Sequence, residues 1–149
     1  MVLADSRYVE CDERAVFEEL DPEDCLELLR EEPVGRVALT AHALPVVLPV
    51  NFAVLDGDIV WRSAQGTKLN EASADLVVAF EADHYEPDRR QGWSVMVQGL
   101  AHVMTDVDEL NRARDLPLES WTLEGAADRY VCLVPNIVRG MRIRNVSMN

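Results

Sequence analysis

The sequence predicts a mainly β fold, a closed antiparallel β-barrel with short helices, formed by a single domain over residues 1–149. Two observations support this prediction. Short apolar stretches of strand length recur along the chain, and residues typical of turns separate them. Hydrophobic residues make up 48% of 149 residues, which is enough for one core. A closed barrel is preferred to an open sheet because closure removes exposed strand edges.

The first half of the chain predicts one helix and three strands. The helix covers residues 22–31, with Asp21 as its N-cap and Pro22 at its first position. The strands cover residues 36–41, 46–55 and 58–63, with a break at residues 42–45. Asp56 and Gly57 form the residue pair that a tight hairpin prefers. We therefore expect the three strands to form an antiparallel meander.

The second half predicts two short helices and four strands. One helix covers residues 68–74, with Thr67 as its cap, and the other covers residues 107–115, where Asp106 and Glu109 have capping-box spacing. Strands are expected over residues 76–82, 93–104, 130–134 and 138–143, with a polar loop at residues 83–91. Gly99 lies inside the longest of these strands, which indicates a bulge or a close backbone approach.

Composition excludes several classes of function. The net charge of −13 disfavours nucleic-acid binding. The apolar runs are too short to span a bilayer and the N-terminal segment lacks an apolar signal core, so we expect a cytoplasmic protein. The three cysteines, Cys11, Cys25 and Cys132, form no CxxC pair and are expected to be reduced. The three histidines lack metal-ligand spacing, so no metal site is predicted.

The densest chemical signal is the sequence Trp61-Arg62-Ser63-Ala64-Gln65-Gly66-Thr67-Lys68-Leu69, in which a strand, a glycine turn and a helix start follow one another. The N–H groups at a helix start favour an anion. Arg62 can grip phosphate oxygens and Lys68 adds a point charge, while Ser63 and Thr67 offer hydroxyl groups. Neither GxxxxGK[ST] nor GxGxxG is present. An ordinary capped turn with surface cations therefore stays open as the alternative.

A second signal is Pro49-Val50-Asn51-Phe52, inside an apolar strand. Proline cannot donate to a β-ladder, so this stretch is expected at an edge or a bulge. The backbone of Val50 and Asn51 would then be able to contact a planar ligand. The alternative is a barrel kink in which the Asn51 side chain pairs with backbone groups.

A third signal is the strand start that contains Trp93, Ser94 and Gln98. These residues offer an aromatic face, a hydroxyl group and an amide. The alternative for Trp93 is packing in the core or in a dimer interface. No nucleophile elbow of the GxSxG type is present, and the catalytic residues stay unknown.

Taken in order, these segments resemble the FMN-binding split-barrel proteins related to pyridoxamine 5′-phosphate oxidase, and most closely their short bacterial branch of nitroimidazole-reductase-like proteins. The resemblance covers residues 21–144. It is carried by Val34-Gly35-Arg36-Val37-Ala38, Pro49-Val50-Asn51-Phe52, Arg62-Ser63-Ala64, Gly66-Thr67-Lys68-Leu69, Val78-Ala79-Phe80, Gly92-Trp93-Ser94-Val95 and Gly140-Met141-Arg142-Ile143.

The resemblance implies a split β-barrel of the flavin-reductase or FMN-binding type and a homodimer with FMN at its interface. It implies an oxidoreductase that acts on an unidentified small molecule. The phosphate of FMN would be held by Arg62, Ser63, Thr67 and Lys68. The isoalloxazine ring would lie along Val50 and Asn51, and the flavin would be approached, in part from the partner subunit, by Trp93, Ser94 and Gln98.

Three alternatives stay open. A deazaflavin carrier would need a richer basic groove, to which Arg89, Arg90, Arg139 and Arg142 could add. A non-enzymatic flavin- or haem-binding module is the second, with His84 as the candidate axial ligand for haem. A barrel dimer that binds no cofactor is the third.

Overall fold

The computed structural model of the chain describes residues 15–64, 75–119 and 128–145. The helix predicted at residues 68–74 lies outside these ranges. The elements within them are, in chain order, β1 (Ala15–Leu20), α1 (Pro22–Leu29), β2 (Val34–Ala41), β3 (Leu44–Leu55), β4 (Asp58–Ala64), β5 (Leu76–Glu86), β6 (Gln91–Val103), α2 (Val107–Arg114) and β7 (Asp128–Asn145).

The strands form a closed antiparallel barrel, which confirms the predicted fold class. Their order is β1-β7-β4-β3-β2-β5-β6, and β6 pairs again with β7. The strands β2 to β7 therefore close on themselves, while β1 adds to the last part of β7. The predicted meander of β2, β3 and β4 is confirmed, and Asp56 and Gly57 have φ values of 51° and 86° in its second turn.

The two strands predicted at residues 130–134 and 138–143 are one strand of 18 residues, so that prediction is wrong. The first part of β7 pairs with β4 and its last part pairs with β1. Pro135 does not end the strand because, among the described strands, the stretch around it pairs with β6 alone. The predicted irregularity at Gly99 is confirmed by a register shift between Gln98 and Gly99.

Other parts of the prediction also differ from the structure. The loop expected at residues 83–91 is wrong, because β5 and β6 continue as polar hairpin arms to Glu86 and from Gln91. The break expected at residues 42–45 is confined to His42 and Ala43, which both have positive φ values. The strand β1 was not predicted, because its Ala15–Leu20 sequence lacks clear apolar alternation.

The barrel interior is filled by apolar side chains, and α1 closes one end of it. Trp61 and Phe80 are the largest fully buried side chains. Cys25 and Leu29 of α1 are also fully buried in this cluster. Gly140 of β7 lies directly beneath α1, since a Cβ atom there would be 2.5 Å from the Cys25 Sγ atom. This close packing fixes α1 over the barrel end.

The second helix covers a smaller cluster on the outside of the barrel. The Asp106 carboxylate accepts hydrogen bonds from the N–H groups of Asp108 and Glu109, both at 3.0 Å, which confirms the predicted N-cap. Asp21 stands at the N-cap position of α1, but its side chain makes no capping hydrogen bond. Neither described helix is long and apolar enough to cross a membrane.

Cys25 and Cys132 are expected to be unreactive in the folded protein. Desolvation by burial raises the pKa of Cys25, and desolvation with the neighbouring Asp58 carboxylate raises the pKa of Cys132 to about 12. Because the thiolate is the nucleophile, iodoacetamide at pH 8 should label neither residue until guanidinium unfolds the chain. Mass spectrometry of peptides checks this. Rapid labelling of either residue in the native protein would contradict the buried thiols.

Candidate functional site

The strands β3 and β4 separate within the barrel, and this separation organises the candidate site. Their ladder ends at the pair Phe52 and Trp61. Beyond this pair, β3 runs beside β2 while β4 runs beside β7. Four of the predicted cofactor residues occupy the first two positions beyond it, namely Val50 and Asn51 on β3, and Arg62 and Ser63 on β4.

The remaining two residues predicted to hold phosphate, Thr67 and Lys68, lie outside the described residues. In the sequence they come three and four residues after Ala64, the last residue of β4.

Arg62 is half-buried and lies over an aromatic ring. Its guanidinium carbon is 5.7 Å from the centroid of the Tyr130 ring on β7. This cation–π contact stabilises the guanidinium over the ring. Alternation along β4 places Ser63 on the face of the buried Trp61 and Arg62 on the opposite face. Tyr130 was missed by the sequence reasoning, because its place beside Arg62 depends on the register of β7.

The Asn51 side chain joins two segments of backbone. Its Nδ2 atom donates to the Pro33 carbonyl at 2.7 Å, and its Oδ1 atom accepts from the Glu119 N–H at 2.7 Å. It therefore ties the segment after α1 to the segment after α2. The Asn51 side chain thus pairs with backbone groups, as in the alternative that the sequence left open, and only the backbone of Asn51 would be left to contact a ligand.

Asn51→Ala is expected to lower the free energy of unfolding by about 2 kcal/mol. Two hydrogen bonds are lost, each worth about 1 kcal/mol net, and the Glu119 N–H loses its partner. Denaturant unfolding measures the change. Asn111→Ala is the matched control, since Asn111 only accepts one exposed hydrogen bond from Arg114. Equal stability of the two variants would contradict the role of Asn51.

The three predicted residues of β6 divide between two faces. Ser94 and Gln98 have the opposite parity to the buried Val95 and Val97, so they lie on the outside of the barrel. Trp93 shares the parity of Val95 and is partly buried against the core. One strand therefore presents two polar groups to the outside and one aromatic group to the barrel end.

Gln98 lies within an apolar surface that we call the outer face. One row of it crosses five strands through Val47, Ala38, Ala79, Gln98 and Ile137. At the usual strand spacing this row is about 19 Å long.

A second row of the outer face continues through Val77, Leu100 and Val134. Val77 is 73% exposed. Arg36 and Glu81 lie beside these rows as an ion pair with a separation of 3.4 Å. Burial raises the pKa of Glu81, so this carboxyl group is already partly shielded from water.

Trp93 lines a cavity at the barrel end closed by α1, which we call the mouth. The cavity has a volume of about 530 Å³. His84 and Arg142 lie on either side of Trp93 in the sheet and also line it. The His84 Nδ1 atom is 3.1 Å from the Glu32 carboxylate. The candidate axial ligand for haem is therefore engaged with an acid.

The arginines that could serve a deazaflavin carrier do not form one groove. Arg139 and Arg142 have opposite parity on β7 and lie on opposite faces. Arg89 pairs with Glu86 at 3.5 Å, in the β5–β6 hairpin. Within residues 15–64, 75–119 and 128–145, no three His, Cys, Asp or Glu side chains are grouped to hold a metal ion.

Comparison with known proteins agrees with this architecture. An uncharacterised protein of Mycobacterium tuberculosis is 41% identical over 130 residues, which is 84% of each chain. The structure of an FAD binding protein from Mycobacterium smegmatis is 32% identical, with a TM-score of 0.73, over 85% of this chain and 97% of that one. A Corynebacterium glutamicum protein provisionally named a pyridoxamine 5′-phosphate oxidase is 33% identical, with a TM-score of 0.75, over 85% and 98%.

The family comparison covers most of the fold. Residues 21–142 match the family described as pyridoxamine 5′-phosphate oxidase. The matched range includes the separation of β3 and β4, the outer face and all but the last strand end of the barrel. This match covers most of the closed antiparallel barrel, including the place where β3 and β4 separate. The chain therefore belongs to the pyridoxamine 5′-phosphate oxidase family.

Proposed function

We propose that this protein binds a flavin, FMN in the first instance, at the interface of a homodimer and acts as an oxidoreductase on a small molecule. The observation that carries the proposal is the placement of Val50, Asn51, Arg62 and Ser63 at the first positions beyond the point where β3 and β4 separate. Family membership supports it, as does the relative from Mycobacterium smegmatis that is described as FAD binding.

The residues present fit the phosphate of a flavin nucleotide. Arg62 can offer two parallel N–H groups to phosphate oxygens. Ser63 follows it at the end of β4 and offers a hydroxyl group from the opposite face of the strand. Lys68 would add a second cation a few residues later in the chain. In a protein of net charge −13, an anionic ligand needs such a local concentration of donors.

The outer face supports a second copy of the chain as the partner. Exposed valine, leucine and isoleucine side chains on four strands, with Ala38 on the fifth, form the kind of apolar surface that marks an interaction site. Gln98 lies within this surface and Ser94 lies on the same side of β6. A flavin held near it would therefore be within reach of polar groups from both copies.

When bound, a flavin supplies the hydride-transfer chemistry itself. The residues of this chain would bind and orient it. Arg62, Ser63, Thr67 and Lys68 fix the phosphate end. The backbone of Val50 and Asn51 would contact the ring, and the apolar outer face would exclude water from the space between the two copies. Trp93, Ser94 and Gln98 complete the predicted surroundings.

Titration with three flavins tests the cofactor. FMN and riboflavin differ by the phosphate alone, so FMN is expected to bind at least about a hundredfold more tightly, since each charge-assisted hydrogen bond contributes about 1.5–3 kcal/mol. FAD is the second candidate, because of the relative described as FAD binding. Tighter binding of FAD than of FMN would identify FAD as the cofactor in place of FMN. Equal binding of riboflavin and FMN would contradict the phosphate site.

Anaerobic reduction tests the oxidoreductase activity. The flavin-loaded protein is mixed with NADH or NADPH, and the visible flavin absorbance is followed before and after air is admitted. We expect one of these donors to bleach the absorbance and air or an added acceptor to restore it. Flavin that binds tightly but is reduced by neither donor would favour the non-enzymatic binding module.

A further inference from the structure

Polar residues occupy inward positions at the mouth of the barrel. Val95, Ala82 and Gly140 form a buried cross-strand row on β6, β5 and β7. The next inward row toward the barrel end is Trp93, His84 and Arg142. Alternation would place apolar residues at these positions if they served only the core. The change to polar residues indicates that this end of the barrel interior contacts something other than the core.

The mouth has the dimensions of a small-molecule site. Its volume of about 530 Å³ lies within the usual range for such sites, and barrel mouths are among their frequent locations. The end of α1 covers it from one side with Leu28. Ile143 and the Trp93 indole add apolar surface, so a flat ring could be enclosed between apolar walls.

The charges of the mouth are mostly paired within the protein. Glu32 lies 3.1 Å from His84, and Glu86 lies 3.5 Å from Arg89. Arg144, which also lines the mouth, lies 2.8 Å from Glu18.

Arg142 differs from these groups. In the part of the chain that the structure describes, no carboxylate lies within ion-pair distance of Arg142. Glu31, the remaining acid of the lining, is exposed at the rim. Arg142 is partly buried and is paired with Trp93 in the sheet, so it is the available charged group of the inner mouth.

We propose that the mouth binds a small planar aromatic carboxylic acid, with its ring against Trp93 and its carboxylate on Arg142. Arginine binds a carboxylate through two parallel hydrogen bonds, and a ring stacked on tryptophan adds to the binding energy. The site shares Trp93 with the predicted surroundings of the flavin, and its other lining residues are separate from them. Its residues lie at the α1 end of β5, β6 and β7, whereas the candidate phosphate residues Arg62 and Ser63 lie on β4.

Calorimetry with a matched pair of probes tests the site. Indole-3-carboxylate is titrated into the protein, and indole-3-carboxamide serves as the uncharged probe of the same shape. The carboxylate should bind about tenfold or more tightly than the carboxamide. Arg142→Gln should remove this difference. Arg139→Gln is the matched control, since it removes the same charge from the opposite face of the same strand and should leave binding unchanged.

Three results would overturn the proposal. They are equal binding of the two probes, no binding of the carboxylate to the unaltered protein, and equal effects of Arg142→Gln and Arg139→Gln. Tighter binding of tryptamine than of the carboxylate would contradict it as well, because it would show that the acids of the mouth select a cation. FMN titration of Arg142→Gln separates the two proposals, since unchanged flavin binding is expected there whether or not the mouth binds the acid.

Discussion

Arg62→Ala combined with Lys68→Ala is expected to abolish flavin retention while the protein stays folded. Both substitutions remove cations from the proposed phosphate site, and Arg62 lies near the end of β4. Two charge-assisted hydrogen bonds at about 2 kcal/mol each correspond to a roughly thousandfold loss of affinity. Fluorescence titration with FMN measures this loss, and circular dichroism confirms that the barrel is intact.

Arg30→Ala combined with Arg89→Ala is the matched control for this experiment. It removes the same number of positive charges, from the end of α1 and from the β5–β6 turn. Both of these arginines are exposed and take part only in surface ion pairs, which contribute little to stability. If the variant without Arg62 and Lys68 binds FMN with unchanged affinity, the assignment of these residues to the phosphate site is contradicted. A comparable loss of FMN affinity in the control would show that the overall charge of the protein, and not a specific phosphate site, causes the effect.

Val77→Asp is expected to convert a dimer into a monomer. Val77 is 73% exposed in the single chain, so an aspartate there does not disturb the core. In the proposed dimer, the new aspartate of each copy would place a negative charge within the apolar outer face, where no positive group pairs with it. Because a buried unpaired charge costs several kcal/mol, association at micromolar concentration should be lost. Light scattering measures the mass.

Val107→Asp is the matched control for the dimer experiment. Val107 is 68% exposed and lies away from the outer face, at the first position of α2. An acid at a helix N-terminus is favourable, so this variant should remain as stable and as dimeric as the unaltered protein. A monomeric mass for the unaltered protein would contradict the dimer. If the Val77→Asp variant is still a dimer, the outer face is not the dimer interface.

Much of the barrel could be predicted because its strands have strong local signals. Asp56 and Gly57 defined one hairpin, and Gly99 marked the irregularity in β6. The prediction was wrong where pairing beyond the local sequence decides the structure. Pro135 divides β7 in the sequence, yet the strand continues because that stretch needs no second partner strand.

The candidate site could be predicted from resemblance but not from spacing. Asn51 and Arg62 stand at the first positions beyond the β3–β4 ladder because it ends at the pair Phe52 and Trp61, and this register cannot be read from the sequence. The placement of Trp93 and Gln98 on opposite faces of β6 could be predicted from the sequence, since residues an odd number of positions apart in a strand lie on opposite faces. The bulge begins beyond Gln98, so this simple alternation holds over that stretch.

The visible absorption spectrum of the purified protein tests the central proposal most directly. It is recorded as isolated, and again after FMN has been added and the excess removed. A yellow protein with the two flavin bands and close to one flavin per chain is the predicted result. A colourless protein that takes up neither FMN nor FAD would contradict flavin binding, and a sharp haem band would contradict the choice of cofactor.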